Sequence, residues 1–420
     1  MWQQLRRDQL RTLLLLYLAG LLVYGLLAGP RLRYRNPNEF VALAEALLHG
    51  RLWISAQLAP ILDLAEYQGR FFVPYPPAAA VLYLPAVAVF GRGVYHGVLH
   101  LLLAASILPL FYLAISRYTS ETGHNRQEQL WLVLLLAFGT PIATLATNSN
   151  VYYTGQVTAV VFICLYLAAA YRGRHPVWAG LALGAAFMAR SAVILGFPII
   201  LAEIWRSRPQ PGQTPHWRTG RYGAVIQFAV GLGAVLALSV AANWARFDHP
   251  LELGYRYLGW RTDPEIVRWG LFSYAYLERN LHAALTSLPV FLSQFPYLAF
   301  NPEGMSLLIT TPVLLTLPFL RRWTLTAKAA LLASGLIFLT ALLYANTGFA
   351  QYGYRYSADF LPFLVLAMAL AGLRLTDWRI KALILWGVAV CLYGAFQAGW
   401  FPFTQELDRM IRDNTLLRYR

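Results

Sequence analysis

Charged residues are scarce in this chain, and their scarcity excludes most soluble protein classes. Only 13% of the 420 residues are charged, whereas a soluble domain carries roughly 25%. Hydrophobic residues make up 58%, and the mean hydropathy is +0.49. The net charge of +15 does not indicate nucleic-acid binding, because basic residues beside hydrophobic runs typically determine membrane topology.

Cysteines and the common motifs of soluble enzymes are also rare or missing. The two cysteines, Cys164 and Cys391, lie inside apolar runs, which argues against a disulfide framework or a thiolate metal site. No HExxH, P-loop, GxSxG or GxGxxG pattern stands in a suitable context. His96 and His100 are spaced like metal ligands but have no carboxylate near them in sequence. We therefore expect no cofactor, and a divalent metal is not supported.

Apolar runs fill most of the chain instead. Many approach the ~20 residues needed to cross a bilayer, and they leave no stretch for an independent soluble domain. Residues 1–420 are therefore predicted to form a single integral membrane domain, all-α, a polytopic transmembrane helix bundle of about eleven spans. The predicted spans are 12–28, 94–116, 130–146, 155–171, 177–188, 192–205, 222–244, 306–320, 325–345, 361–373 and 380–400.

Two parts of this pattern need separate interpretations. Arg190 interrupts residues 177–205, which form either two short spans or one long bent span. The run Ala78–Phe90 is too short to cross and contains Pro85, so it is predicted to be a helix at the membrane interface.

The distribution of charge predicts the orientation. With a cytoplasmic N-terminus, the inner segments hold a large excess of Lys and Arg over acids, whereas the outer segments, including the tail after Trp400, are nearly balanced. Residues 30–93 and 246–305 then form two long extracytoplasmic loops, and such loops usually carry function. We expect a multi-pass protein of the plasma (inner) membrane with an extracytoplasmic active site.

The first long loop carries the candidate acids. Apolar residues at helical spacing predict an amphipathic helix that starts at Asn38 or Glu39. Glu39 is either a favourable charge at a helix start or a general base. Asp63 lies three residues before Glu66, and the two face either a reaction centre or solvent. Arg70 is suited to a phosphate, or to an ion pair with one of these acids.

Arginines flanked by tyrosines occur in two later segments. A Gly-Tyr-Arg-Tyr sequence contains Arg256, and its repeat contains Tyr354 and Arg355. This composition suits a phosphosugar, and its alternative is an interfacial aromatic belt with arginines that extend to water. Asp359 is a candidate partner for Arg355.

Arg190 ends the apolar stretch GLALGAAFMAR. An arginine at membrane depth is costly, so we expect it to be paired or to face a cavity. It then binds substrate, or it extends to the interface.

Together these segments resemble the GT-C superfamily of polytopic glycosyltransferases. The resemblance is carried by NEFVALAEALLHG, YQGRFFVPYPP, the interfacial helix ending VFG, and GLALGAAFMAR. It is nearest to the bacterial group related to protein O-mannosyltransferases and the lipid A aminoarabinose transferase. The Gly-Tyr-Arg-Tyr segments and NPEGMSLLITTP are similar to a bacterial subgroup.

The resemblance implies transfer of a sugar from a polyprenyl-phosphate donor to an extracytoplasmic acceptor, which is a lipid, glycan or protein. In that family an acid of the first outer loop is the base, often within an Asp-Glu or Asp-Asp pair. Here the pair reads Asn38-Glu39, so Glu39 suffices, Asp63 takes the role, or the protein is inactive. Arg190 matches the basic residue at the end of the corresponding helix and is a candidate for the donor phosphate.

Two other functions remain open at this point. One is a transporter or flippase for a lipid-linked glycan, against which stand the lack of an internal repeat and the position of the acids outside the spans. The other is an inactive protein with the GT-C fold. The predicted partners are membrane lipids, the lipid-linked sugar and the acceptor. The site prediction is one cavity that Glu39 and Asp63 share with Arg190 or Arg355.

Overall fold

A computed structural model describes residues 2–35, 38–59, 61–207, 220–258, 263–295, 297–348 and 351–400. The tail after Trp400, whose arginines contribute to the charge balance, lies outside these residues. Most of the described chain is helical. Its α-helices are α1 (Trp2–Ala28), α2 (Glu39–Leu48), α3 (Ala78–Phe90), α4 (His96–Ala105), α5 (Ile107–Thr119), α6 (Arg126–Phe138), α7 (Ile142–Leu145), α8 (Val151–Ala170), α9 (Pro176–Phe187), α10 (Pro198–Arg206), α11 (Arg221–Phe247), α12 (Pro264–Trp269), α13 (Leu277–Leu285), α14 (Leu307–Thr310), α15 (Leu325–Leu342), α16 (Leu361–Leu370) and α17 (Trp378–Trp400).

Strands are few and short. They form two antiparallel hairpins, β1 (Ala65–Tyr67) with β2 (Arg70–Phe72), and β3 (Val290–Phe291) with β4 (Leu298–Ala299). The all-α prediction is therefore confirmed.

Six helical segments of the described chain are long and apolar enough to cross a membrane. They are Arg7–Arg33, His96–Thr122, Val151–Gly173, Arg221–Phe247, Leu325–Leu342 and Trp378–Trp400. The chain is a multi-pass membrane protein. The other five predicted spans correspond to shorter helices or to 3₁₀ segments.

Local sequence explains these shorter segments. Gly139 and Pro141 separate α6 from α7, and Pro312 and Pro318 lie in a 3₁₀ helix, Pro312–Phe319, that follows α14. Proline lacks the N–H that a regular helix requires and disturbs the preceding turn. The predicted spans 130–146 and 306–320 therefore each fold as successive short helical segments instead of one long helix.

Residues 177–205 fold as two segments, not one bent helix. Helix α9 ends at Phe187, and the chain passes Arg190, continues through a 3₁₀ helix and enters α10. Helix α9 packs very closely on α11, because a Cβ on Gly180 would lie 2.2 Å from the carbonyl oxygen of Phe228. Small residues allow such close approach between membrane helices.

One face of the bundle carries a compact polar network. The carboxylate of Glu203, fully buried, accepts hydrogen bonds from Arg206 Nε at 2.5 Å and from Thr326 Oγ1 at 2.5 Å. Glu121 accepts from Arg206 Nη1 and from Arg172 Nε, each at 2.6 Å. These contacts join the ends of α5, α8 and α10 to the start of α15. Arg190, between α9 and α10, lies away from this network.

The opposite face is covered by the two long segments that connect α1 with α4 and α11 with α14. We call it the loop face. The segments contact each other, since the Tyr67 hydroxyl donates to Asp248 at 3.3 Å and the rings of Tyr75 and Tyr255 lie 6.4 Å apart. The first segment contains α2, the β1–β2 hairpin and α3, with α2 packed on α3. Ala78–Phe90 is a helix as predicted.

Candidate active site

A cavity of about 1690 Å³ lies beneath the loop face. Its wall combines distant parts of the sequence, among them Tyr75, Tyr152, Arg190, Tyr255 and Arg355. The cavity exceeds the 300–1,000 Å³ of ordinary small-molecule sites. It is large enough for a substrate bigger than a single sugar.

Asp63 lies behind two tyrosines of this wall. Its Oδ2 atom accepts a hydrogen bond from the Tyr152 hydroxyl at 2.9 Å and another from the Tyr75 hydroxyl. The two hydroxyls are 3.1 Å apart. Burial, the neighbouring Tyr152 and the Asp63 carboxylate raise the pKa of Tyr75, so Tyr75 remains a hydrogen-bond donor. The Oδ1 atom accepts no hydrogen bond from the described residues.

Glu39 is the first residue of α2, and its carboxylate contacts the backbone of Asp63. Its Oε1 atom accepts the backbone N–H of Asp63 at 3.4 Å. Burial raises the pKa of the Glu39 carboxyl above its ordinary value of 4.5, because a desolvated carboxylate is less stable than the neutral acid. Glu39 is not among the residues that line the cavity.

The cap of α2 is Asn38, not Glu39. The Asn38 Oδ1 atom accepts the backbone N–H of Phe40 at 3.0 Å, and its Nδ2 donates to the carbonyl of Ser149 at 3.1 Å. Asparagine is a preferred N-cap. Asn38, the first residue of the Asn38-Glu39 pair, therefore caps α2 and joins it to the segment that leads into α8.

Arg355 is a buried cation without a carboxylate partner among the described residues. Only 5% of the residue is exposed. Its Nε donates to the Gly348 carbonyl at 2.8 Å, and its Nη1 donates to Gln156 Oε1 at 3.3 Å. Gln351 Oε1 accepts its backbone N–H at 2.8 Å. A buried charge normally requires a counter-ion, so Arg355 favours an anion in the cavity.

Arg190 differs in this respect, because it is paired with Asp359. Its Nη2 lies 2.9 Å and its Nε 3.0 Å from Asp359 Oδ2. The expected pairing of Asp359 with Arg355 was wrong. The guanidinium groups of both arginines lie over the ring of Tyr356, at 5.2 Å for Arg190 and 4.7 Å for Arg355.

Tyr152 connects the acid with the unpaired arginine. Its hydroxyl donates to Asp63, and the guanidinium carbon of Arg355 lies 5.3 Å from its ring centroid. A proton acceptor behind the wall and an anion-binding group in the wall are therefore both in contact with Tyr152. This arrangement can hold an anionic leaving group beside an attacking hydroxyl.

Comparisons with known proteins address the fold. No protein-family model and no curated protein matches the chain. The structure of ArnT from Cupriavidus metallidurans bound to undecaprenyl phosphate matches with a TM-score of 0.50 and 14% identity, covering 90% of this chain and 62% of that one. The likeness shows a shared fold, in agreement with the resemblance of the sequence to the GT-C superfamily.

An archaeal structure is similar as well. The Archaeoglobus fulgidus oligosaccharyltransferase in its apo form matches with a TM-score of 0.48 and 13% identity, covering 96% of this chain and 60% of that one. The chain thus spans about three fifths of the length of the solved structures that it matches.

Five predicted site residues are not among those that line the cavity: Glu39 and Asp63, which lie behind its wall, and Arg70, Arg256 and Tyr354. Arg70 is exposed on β2, with its guanidinium carbon 4.5 Å from the ring centroid of Trp53. Arg256 is 61% exposed and pairs with Glu252. Tyr354 is fully buried, and its hydroxyl has no hydrogen-bond partner among the described residues. The two Gly-Tyr-Arg-Tyr segments therefore differ: the first contributes Tyr255 to the cavity, and the second contributes Arg355 with Tyr356.

The described residues contain no cluster of metal-ligating side chains. Among the described residues, no three His, Cys, Asp or Glu side chains are placed to hold a metal ion. His100 is buried, with Nε2 2.8 Å from the Leu145 carbonyl oxygen.

The sequence prediction missed Tyr75, Tyr152 and Gln156 as site residues. Tyr152 and Gln156 belong to NVYYTGQ, which opens the apolar helix α8. A fully buried glutamine in a span needs hydrogen-bond partners, and Gln156 finds them in Arg355. That glutamine was the available signal.

Proposed function

We propose that this protein is a membrane glycosyltransferase that moves a sugar from a polyprenyl-phosphate donor to a hydroxyl of an extracytoplasmic acceptor. The observation that carries the proposal is the contact of Tyr152 with both Asp63 and the unpaired cation Arg355. The GT-C fold supports it, and the matched ArnT structure holds undecaprenyl phosphate.

Arg355 binds the donor phosphate in this mechanism. Its guanidinium is held by Gly348 and Gln156, so the remaining N–H groups are oriented before substrate arrives. Fixed donors aimed at a developing charge stabilise the transition state without reorganisation. Arg190, already neutralised by Asp359, shapes the site beside it.

Asp63 accepts the proton of the attacking hydroxyl. The acceptor oxygen forms a bond to the anomeric carbon while the bond from that carbon to the phosphate oxygen breaks, and its electron pair leaves with polyprenyl phosphate. The proton moves to Asp63 Oδ1, since Tyr75 and Tyr152 both donate to Oδ2. Glu39 is a positioning residue that holds the backbone of Asp63.

The experiment is a transfer assay in membranes that contain the overproduced protein, with radiolabelled polyprenyl-phosphate mannose and glucose as donors. Loss of a general base lowers the rate by roughly 10²–10⁴-fold, so we expect Asp63→Asn to lose that factor. Glu39→Gln keeps an acceptor oxygen and should lose less. Glu66→Gln is the matched control, because Glu66 is exposed and lies only three residues from Asp63.

Two results would reject the proposal in different ways. Equal turnover by Asp63→Asn and the unaltered protein would remove Asp63 as the base. No label transfer or sugar release by the unaltered protein with any donor would favour a carrier or an inactive GT-C protein.

A further inference from the structure

The second long segment of the loop face carries exposed apolar side chains beside the cavity. Around the β3–β4 hairpin, Leu288 is 63% exposed, Phe291 76%, Phe295 62% and Tyr297 62%. From residue 286 to residue 302 the sequence contains no Asp, Glu, Lys or Arg. Exposed apolar side chains that lie this close together in sequence, without a charge among them, indicate an interaction surface.

The hairpin is fastened to a membrane-crossing helix. The carbonyl of Leu298 accepts hydrogen bonds from Tyr393 Oη at 2.9 Å and from Gln397 Nε2 at 2.7 Å. Both donors belong to α17, which ends at Trp400. At about 1.5 Å of rise per residue, this attachment lies roughly 5–10 Å before the end of the span. That is the depth at which interfacial apolar groups insert.

A second apolar segment, Leu271 to Tyr274, is fastened in the same way. The backbone N–H of Ser273 donates to the Leu343 carbonyl at 2.9 Å, immediately after α15 ends. Phe272 is 60% exposed and Tyr274 is 81% exposed. Aromatic residues are enriched where membrane helices meet water.

Both segments also line the cavity. Leu271 and Phe272 contribute from one segment, and Leu288, Pro289 and Val290 contribute from the other. We name these two segments, Leu271–Tyr274 and the uncharged stretch around the β3–β4 hairpin, the two lips. Each lip therefore has one side in the cavity and exposed aromatic side chains elsewhere.

We infer that the two lips lie in the lipid of the leaflet at the loop face, and that they form the apolar passage by which a lipid-borne substrate reaches the cavity from the membrane. The occupant of the patch is the bilayer itself, because both lips are attached at the ends of crossing helices and the hairpin sequence is uncharged. The passage rests on the proposed function, whereas the membrane contact does not.

The membrane contact is tested by spin labelling in vesicles of phosphatidylethanolamine and phosphatidylglycerol. Cys164 and Cys391 are fully buried, so an introduced cysteine can be labelled selectively. Labels at Phe291→Cys and Tyr274→Cys should collide with oxygen and be shielded from a water-soluble nickel chelate. Glu66→Cys, exposed on β1, is the control and should show the reverse.

Two outcomes would overturn the membrane contact. One is equal access of the nickel chelate to Phe291→Cys and Glu66→Cys. The other is a Phe291→Cys label that the nickel chelate reaches in pure lipid vesicles but not in native membranes, which would assign the patch to a protein partner.

The passage is tested separately with Phe291→Asp and its control Phe291→Leu. We expect Phe291→Asp to raise the KM for a long-chain polyprenyl-phosphate sugar several-fold, with kcat and the KM for a short water-soluble farnesyl-phosphate analogue unchanged. An unchanged long-chain KM would reject the passage. If the unaltered protein transfers nothing, the proposed function fails while the labelling result still decides the membrane contact.

Discussion

Arg190 and Arg355 share a cavity but differ in how their charge is balanced. Removing one member of a buried ion pair costs about 3 kcal/mol or more, because the other charge is left uncompensated. Arg190→Gln should therefore lower the thermal stability of the ligand-free protein in detergent, since it strands Asp359. Arg355→Gln removes a cation without a carboxylate partner, so stability should stay equal or rise.

The control for this pair is the double variant Arg190→Gln with Asp359→Asn, which should recover part of the lost stability. If Arg355→Gln destabilised the protein as much as Arg190→Gln, the assignment of Arg355 as an uncompensated cation would be wrong.

Glu39 makes stability depend on pH with a definite sign. Burial raises the pKa of Glu39 in the folded state above its ordinary value of 4.5, so its contribution to stability is fully present below that ordinary value and is lost as pH rises through the folded value. The variant Glu39→Gln carries no such penalty. The melting temperature of Glu39→Gln should equal that of the unaltered protein in acid and should exceed it by an increasing amount as pH rises.

Exposed Glu66 supplies the comparison, because Glu66→Gln should show no such trend. A melting-temperature difference for Glu39→Gln that is independent of pH, or that becomes negative at higher pH, would contradict the buried position of this carboxyl.

At the level of residues, sequence could identify the groups but not their partners. Arg190 stood out because a charge at membrane depth is costly, Arg355 because tyrosines flank it, and Asp63 because it is an acid of the first long loop. Their contacts depend on residues far away in sequence, such as Tyr152 and Gln156, and on which of two arginines meets Asp359. Local spacing carries no such information, and it assigned Asp359 to the wrong arginine.

Helix α2 depends on a cap that also connects it to the start of α8. Replacing an N-cap asparagine with alanine costs about 1 kcal/mol, so Asn38→Ala should lower the unfolding free energy by that amount. It should also lower transfer activity, because Asn38 holds Ser149 near Tyr152 while α2 presents Glu39 to Asp63. Thermal unfolding and the transfer assay measure the two effects.

The matched variant is Asn125→Ala. Asn125 caps α6 in a capping box with Glu128, away from the cavity lining, so its loss should reduce stability but not activity. Equal activity losses in the two variants would show that Asn38 acts only through general stability.

At the level of elements, apolar runs predicted the long helices well and the short ones less well. Ala78–Phe90 and the last span, predicted as 380–400 and observed as Trp378–Trp400, follow directly from hydropathy. Hydropathy alone does not distinguish an α-helix from a 3₁₀ helix. It therefore predicted one span at 306–320, although Pro312 and Pro318 lie in a 3₁₀ helix there. The prolines were the evidence in the sequence for that difference.

At the level of the whole molecule, the low content of charge and the repeated apolar runs were enough to predict an all-α membrane bundle. The cavity could not be derived in this way. It forms because the first long segment, the start of α8, the second long segment and residues near Arg355 meet at the loop face. That meeting results from the packing of the whole bundle.

The most direct test of the account is binding of undecaprenyl phosphate, measured by native mass spectrometry on the purified protein, with undecaprenol as the uncharged comparison. We expect the unaltered protein and Arg256→Gln, which alters an exposed arginine outside the cavity lining, to bind the phosphate in preference to the alcohol. Arg355→Gln should lose that preference. Equal preference for the phosphate in Arg355→Gln would contradict the central claim that this buried cation holds the donor.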